Sequence, residues 1–81
     1  MMSVVLYTMP DCVQCDATKK YLDKDNVKYS VVDISTNKEA YELVSSLGYK
    51  QAPVVVKGDV HWSGFRPDKI ASLRLTKEET Q

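Results

Sequence analysis

Two cysteines mark the stretch that decides the fold, Asp11-Cys12-Val13-Gln14-Cys15-Asp16. They are the only cysteines among the 81 residues. The stretch follows an apolar run typical of a β-strand, Val4-Val5-Leu6-Tyr7, and opens a segment with the pattern of a helix. A strand, a tight loop and a C-x-x-C pair at a helix start are the arrangement typical of a thiol–disulfide exchange site.

Cys12 is the predicted nucleophile of this pair. The thiolate is the reactive form of cysteine, and the unpaired N–H groups and positive dipole end of a helix N-terminus favour a negatively charged sulfur. Cys15 lies one turn later, where we expect it to be more buried and to resolve a mixed disulfide by attacking Cys12. Asp11 and Asp16 act against this arrangement, because a nearby carboxylate disfavours a thiolate.

Other uses of the two cysteines remain open at the level of sequence. A structural zinc ion needs four ligands, and His61 is the only histidine that could join the pair, so a zinc site within one chain is disfavoured and no metal ligand is assigned. A metal ion or iron–sulfur cluster shared by two copies through Cys12 is a second alternative, and two inert cysteines are a third. We interpret His61 as a surface residue of a strand rather than as a base.

The apolar pattern predicts strands and helices in the order βαβαββα. The predicted strands cover residues 3–7, 28–34, 54–56 and 60–62, and the predicted helices cover about 12–25, about 37–47 and a segment that begins at 67. The first βαβ unit should be parallel with a right-handed crossover, and the short connection through Gly58 should make the last two strands a hairpin. The result is one α/β domain over residues 1–81, a four-stranded mixed sheet flanked by three helices, which is the thioredoxin fold in its smallest form.

Side-chain spacing predicts which helical residues face the core. In the first helix these are Ala17, Thr18, Tyr21 and Leu22; in the second, Ala40, Leu43, Val44 and Leu47; in the last, Ile70, Leu73 and Leu75. The run Ser35-Thr36-Asn37 supplies an N-cap for the second helix, and Glu39 lies three residues after Thr36, as in a capping box. Gly48 suits the position just after the end of this helix. Pro67 fits the first position of the last helix.

Composition limits the partners that this chain could have. Eleven basic and eleven acidic residues cancel, so the chain lacks the positive charge that binds nucleic acid or an anionic membrane surface. No stretch approaches the ~20 apolar residues of a membrane span, and the N-terminus lacks the basic start of a signal peptide. We therefore expect a cytoplasmic monomer, in a compartment where disulfides are usually transient.

Two further segments each have a structural and a functional interpretation. Pro53 suits the start of the third strand, and only about 5–6% of X–Pro bonds are cis, so the spacing alone does not predict a cis bond there. The run from His61 to Pro67 carries the sole tryptophan, Trp62. Trp62 fits either the core or, together with Phe65 and Arg66, a surface that docks a partner beside the cysteines.

Motifs along nearly the whole chain resemble the NrdH-redoxins, a family that is glutaredoxin-like in sequence and size but thioredoxin-like in behaviour. The resembling segments are Tyr7-Thr8, Cys12-Val13-Gln14-Cys15, Leu47-Gly48-Tyr49, Ala52-Pro53-Val54 and Trp62-Ser63-Gly64-Phe65-Arg66-Pro67. The second and the last of these are the most specific. The resemblance implies a minimal glutaredoxin-like form of the thioredoxin fold and a dithiol–disulfide oxidoreductase with no bound cofactor.

The resemblance also implies partners and residue roles. Members of the family carry electrons from NADPH, through the flavin-containing thioredoxin reductase, to class Ib ribonucleotide reductase. Cys12 and Cys15 would be the redox pair, and Pro53 would be a cis-proline beside them, whose neighbour offers backbone groups to an extended substrate peptide. The residues implied to contact a substrate or partner are Thr8, Val13, Gln14, Ala52, Pro53, Trp62, Ser63, Gly64, Phe65 and Arg66.

The chain departs from a typical glutaredoxin at two places. A typical member has a proline and a tyrosine between its cysteines, and a glycine pair with an acidic cluster that holds glutathione. Here Val13-Gln14 and the run Lys57-Gly58-Asp59-Val60-His61-Trp62 replace them. Glutathione is therefore disfavoured as the reductant. A glutathione-dependent glutaredoxin remains an alternative function, as does a redox-sensing or cluster-binding module that uses the same cysteines.

Overall fold

The computed structural model describes the backbone of residues 4–79 and the side chains of residues 4–73. Within this part the predicted order of elements is confirmed. The strands are β1 (Val4–Thr8), β2 (Tyr29–Asp33), β3 (Val54–Lys57) and β4 (Val60–Ser63), and the helices are α1 (Val13–Lys24), α2 (Lys38–Ser46) and α3 (Pro67–Glu79). None of these helices is both long enough and apolar enough to cross a bilayer.

The sheet has the predicted mixed topology, with the strand order β2-β1-β3-β4. β1 runs parallel to β2 and antiparallel to β3, and β3 and β4 form the predicted antiparallel hairpin. The register pairs Tyr7 with Val54, so the C-terminal end of β1 lies next to the N-terminal end of β3. The loop that carries the cysteines and the segment before β3 are therefore at the same end of the sheet.

Alternation along the strands divides the core between the two faces of the sheet. Leu6, Val55 and Trp62 lie in register across β1, β3 and β4 and pack with α1 and α3. Tyr7 and Val54 point to the opposite face and pack with α2. The sheet therefore has helices on both faces, as predicted.

The predicted core faces of the helices are right in part. Thr18 and Leu22 of α1 are fully buried, but Tyr21 is 39% exposed. In α2 the buried residues are Ala40 and Val44, whereas Leu43 is 43% exposed. Tyr21 and Leu43 lie at the margin of the buried face of their helices. The apolar spacing is therefore wider than the face that packs against the sheet. Ile70 and Leu73 of α3 are buried as predicted, and Leu75 lies outside the described side chains.

The predicted N-cap run of α2 is confirmed at Asn37, but the capping box from Thr36 to Glu39 is wrong, because the helix begins one residue later. Asn37 is the N-cap, and its side-chain oxygen accepts the Ala40 N–H at 3.0 Å. Thr36 belongs to the preceding turn, where the Asp33 carboxylate accepts both the hydroxyl and the backbone N–H of Ser35, at 2.6 and 2.8 Å. These hydrogen bonds hold the pKa of Asp33 below its usual value.

The end of α2 follows the prediction. Gly48 lies just after the helix with φ of 96°, a conformation that other L-residues rarely adopt. Its N–H donates to the Ser45 carbonyl at 3.0 Å, and the Tyr49 N–H donates to the Val44 carbonyl at 3.2 Å. This pair of hydrogen bonds is a Schellman motif, which satisfies carbonyl groups that the helix end would otherwise leave unpaired.

The cap of α2 can be tested by comparing two neighbouring substitutions. Asn37→Ala removes the side-chain acceptor of the Ala40 N–H and should lower the free energy of unfolding by about 1 kcal/mol. Thr36→Ala should change it by less than about 0.5 kcal/mol, because Thr36 is exposed and outside the cap. Urea unfolding of both variants measures the difference. A larger loss of unfolding free energy for Thr36→Ala than for Asn37→Ala would indicate that Thr36 is the cap, as the capping-box prediction had it.

Candidate active site

The cysteine pair lies at the N-terminus of α1, where Cys12 is the N-cap residue. Its backbone is extended, with φ of −116° and ψ of 104°, and its sulfur is bonded to that of Cys15. The Cys15 N–H donates to the Cys12 sulfur across 3.1 Å. The sulfur thus occupies the place that a serine or aspartate oxygen takes in an ordinary cap. A thiolate formed there on reduction would face a hydrogen-bond donor and the positive end of the helix dipole.

The two sulfurs differ in their access to solvent. Cys12 is partly exposed, whereas Cys15 is 1% exposed and lies among the buried residues of α1. A disulfide carried by another protein can therefore approach Cys12 but not Cys15. This arrangement is the one that we predicted for a nucleophile and its resolving partner.

The loop before α1 is shaped by Asp11. Its φ is 57°, in the left-handed region that aspartate tolerates better than most residues. This conformation turns the chain from β1 into the helix within a few residues. The side chains of Asp11 and Asp16 are both exposed, so solvent screens their opposition to a negative sulfur.

The Ala52–Pro53 peptide bond is cis, as the family resemblance implied. Pro53 is fully buried and immediately precedes β3. Thr8 follows Tyr7 on β1, and Pro53 precedes Val54 on β3, so the two residues flank the last paired positions of these strands. Thr8 is itself 7% exposed, and its carbonyl accepts the Ile34 N–H at 2.8 Å. The structure thus brings Thr8 and Pro53 together, with Ala52 partly exposed beside them.

The loop after β4 is hydrogen-bonded to both the proline segment and the cysteine loop. The Gly64 N–H donates to the Pro53 carbonyl at 2.8 Å, and the Phe65 N–H donates to the Gln14 side-chain oxygen at 3.3 Å. Gly64 has φ of 84°, and a Cβ there would lie 3.6 Å from that same Gln14 oxygen. Gln14, one of the two residues between the cysteines, is therefore in direct contact with a residue 51 positions later.

Trp62 is a core residue in this structure. It is 4% exposed, packs with the residues under α1 and α3, and its indole N–H finds no acceptor among the described residues. Beyond Trp62, the side chains of Ser63 at the end of β4 and of Phe65 in the following loop are partly exposed, and that of Arg66 is exposed. A partner that approaches this loop would meet these residues and not the indole ring.

His61 lies on the other side of β4, away from the tryptophan. It is exposed, and its Nδ1 is 2.7 Å from the Tyr49 hydroxyl. Within residues 4–73, no cluster of three or more histidine, cysteine or acidic side chains could hold a metal ion. These positions agree with our interpretation of His61 as a surface strand residue.

The structure adds Tyr21 and Met9 to the surface around the cysteines. The Tyr21 ring meets the Phe65 ring edge-on, with the centroids 4.9 Å apart, and Met9 is 42% exposed in the loop before Cys12. We had assigned Tyr21 to the core from its spacing. Its position seven residues after Gln14 was the available signal, since that interval returns to the same side of a helix.

Comparisons with known proteins agree with this geometry. The glutaredoxin family model matches residues 4–62. The glutaredoxin-like protein NrdH of Escherichia coli K12 is 42% identical over 72 residues, which is 89% of each chain, and that of Lactococcus lactis subsp. cremoris is 36% identical over 70 residues, 86% of this chain and 97% of the other. The solved NrdH-redoxin of Escherichia coli superposes with a TM-score of 0.84 at 41% identity, covering 88% of this chain and 93% of that one. This chain belongs to the NrdH-redoxins.

Membership in the NrdH-redoxin family establishes the general chemistry of the cysteine site. The protein is a glutaredoxin-like thiol–disulfide oxidoreductase with a redox-active cysteine pair. The sulfur atoms themselves carry the electron pair in such a reaction, so the chemistry requires no bound cofactor. The predicted family and fold are therefore confirmed.

The separate roles of the cysteines can be tested by trapping. Cys15→Ser leaves the accessible sulfur but removes the group that resolves the mixed disulfide, so a covalent complex with a target protein should accumulate. Cys12→Ser should abolish both trapping and disulfide reduction, because Cys15 is buried. Non-reducing gels and intact-mass measurements distinguish the two results. Trapping by Cys12→Ser and not by Cys15→Ser would mean that the roles are reversed.

Proposed function

We propose that this protein carries electrons from NADPH, through a flavin-containing thioredoxin reductase, to a disulfide of class Ib ribonucleotide reductase. The observation that carries the proposal is the accessible Cys12 sulfur at the helix N-terminus above the buried Cys15, in a chain 42% identical to an NrdH protein. The Escherichia coli relative that shares this fold is described as a glutaredoxin-like protein with a thioredoxin-like activity profile. That description supports a thioredoxin reductase as the donor.

The proposed cycle moves one electron pair through two exchanges. The Cys12 thiolate attacks one sulfur of the target disulfide, which forms a mixed disulfide and releases the other target sulfur as a thiolate. The Cys15 thiolate then attacks the Cys12 sulfur, which releases the second target thiolate and forms the Cys12–Cys15 disulfide. The reductase supplies two electrons, and the protons come from solvent, to return this disulfide to the dithiol.

The surroundings of the cysteines support a protein target. Val13 is 82% exposed and Met9 is 42% exposed, so apolar side chains flank the reactive sulfur. Exposed apolar groups beside a functional residue are typical of a surface that contacts another protein. Gln14, the other residue between the cysteines, is bonded to Phe65 through its side-chain oxygen.

The remaining parts of the proposal concern the setting of the reaction. We place the protein in the cytoplasm as a monomer, where a reducing environment keeps the dithiol available for exchange. Equal numbers of acidic and basic residues support the proposal that its partners are proteins and not nucleic acids or membranes.

The electron donor is tested by exchanging the reductant. The oxidised protein is given NADPH with thioredoxin reductase, or NADPH with glutathione and glutathione reductase, in the presence of the oxidised class Ib reductase. We expect faster NADPH consumption with thioredoxin reductase, and no consumption above background when Cys12→Ser replaces the protein. Faster turnover with glutathione would contradict the proposed donor. Turnover that does not depend on the ribonucleotide reductase would contradict the proposed target.

A further inference from the structure

One flank of α1 continues the accessible surface away from the cysteine pair. Val13, Ala17, Tyr21 and Lys24 succeed one another at intervals of three and four residues, so they share one side of the helix. Val13 is 82% exposed and Tyr21 is 39% exposed, and the small Ala17 lies between them. We call these four residues, together with Phe65, the α1 stripe.

Phe65 is joined to the stripe at two points. Its backbone N–H donates to the Gln14 side chain, and its ring packs edge-on against Tyr21 at a centroid distance of 4.9 Å and an interplanar angle of 71°. The two contacts come from residues about two turns apart on the same helix. Phe65 is thereby fixed as part of the surface of α1, although it belongs to the loop after β4.

The far end of the stripe carries positive charge. The Lys24 ammonium lies 5.5 Å from the centre of the Tyr21 ring, in a cation–π contact. The acidic residues Asp16 and Asp23 occupy the other flank of the helix, and Asp23 accepts a hydrogen bond from the Tyr29 hydroxyl at 3.1 Å. Lys20, which is also exposed, lies three residues after Ala17 and four before Lys24, on the same side of the helix. An approaching chain therefore meets an apolar and aromatic strip that is bordered by Lys20 and ends at Lys24.

We propose that the α1 stripe binds the polypeptide that flanks the attacked cysteine of the target, and that Tyr21 determines specificity there. The proposal rests on the function proposed above, since the stripe begins at Val13, next to Cys12, where residues that flank a target cysteine can contact it. The preferred segment carries an aromatic or large apolar residue, followed by an acidic residue that faces Lys24.

Helix geometry sets the spacing of this preference. Tyr21 lies nine residues after Cys12, or about 13 Å along the axis at ~1.5 Å per residue. An extended peptide covers ~3.3 Å per residue, so the apolar side chain should lie about four residues from the attacked cysteine. The acidic side chain should lie one or two residues farther on.

The test uses short peptides whose single cysteine is joined to 5-thio-2-nitrobenzoate. The preferred probe is Cys-Gly-Gly-Gly-Phe-Glu, with its reversed sequence to cover both chain directions, and the comparison probe carries Ser-Lys in place of Phe-Glu. The pre-reduced protein is mixed in excess with each peptide, and the release of the coloured thiol is followed in a single turnover. The mercaptoethanol derivative of the same chromophore serves as a small disulfide for normalisation.

We expect the Phe-Glu probe to react faster than the Ser-Lys probe after normalisation to the small disulfide. Tyr21→Ala should reduce this preference roughly three- to tenfold, the size of one aromatic contact. The change should come mainly from a higher protein concentration at half-maximal rate for the Phe-Glu probe, and not from a lower limiting rate. Tyr21→Phe should retain it, because the ring and not the hydroxyl makes the contact. Lys24→Glu should narrow the difference in rate between the Phe-Glu and Ser-Lys probes, because it replaces the cation that faces the acidic residue with a carboxylate.

Tyr41→Ala is the matched control, since Tyr41 is a 53% exposed tyrosine on α2, on the opposite face of the sheet. It should leave the preference unchanged. Equal effects of Tyr21→Ala and Tyr41→Ala, or a wild-type protein with no preference in either peptide direction, would overturn the inference. The assay contains no reductase, so failure of the proposed electron donor would leave these rates unaltered, whereas a protein that reduces neither peptide nor small disulfide would contradict the proposed function itself.

Discussion

The contact between the Cys15 N–H and the Cys12 sulfur is the interaction on which the site depends. It makes a cysteine the N-cap of α1, so the hydrogen bond that begins the helix would also stabilise a thiolate on Cys12 once the disulfide is reduced. The helix then carries Cys15 into the core one turn later, where it is 1% exposed. The difference between an accessible nucleophile and a protected resolving thiol follows from this single local geometry.

The sheet register gathers the other parts of the site around that helix end. Because β3 runs antiparallel to β1, its first residues lie next to the end of β1. Pro53 therefore lies at the same end of the sheet as the cysteine loop. The Pro53 carbonyl then accepts the Gly64 N–H, and Gln14 accepts the Phe65 N–H. Three segments that are far apart in the sequence are thus linked, one pair by a backbone hydrogen bond and the other by a bond from a backbone N–H to a side chain. This linkage explains why Gln14 and the loop after β4 form one surface.

Much of this arrangement could be predicted from the sequence, for physical reasons that also explain the errors. The order of strands and helices follows from strong apolar patterns and from Gly58 and Pro67, which act locally. The predicted N-cap run of α2 contains the observed cap, Asn37, but the capping box from Thr36 is wrong because Thr36 and Asn37 are both good caps. Thr36 instead follows the turn held by the Asp33–Ser35 hydrogen bonds. Tyr21 was misplaced because spacing gives a helix face but not the width of its contact. The cis bond before Pro53 came from family resemblance, since proline spacing does not encode it.

The helix start should make Cys12 the ionised and accessible thiol, and alkylation of the reduced protein as a function of pH measures this property at each cysteine. Iodoacetamide modification followed by mass spectrometry gives the rate at each cysteine. We expect Cys12 to be modified first and to reach half of its plateau rate at a pH well below about 8.5, the ordinary midpoint of a free cysteine. A midpoint at or above that value, or faster modification of Cys15, would contradict this expectation.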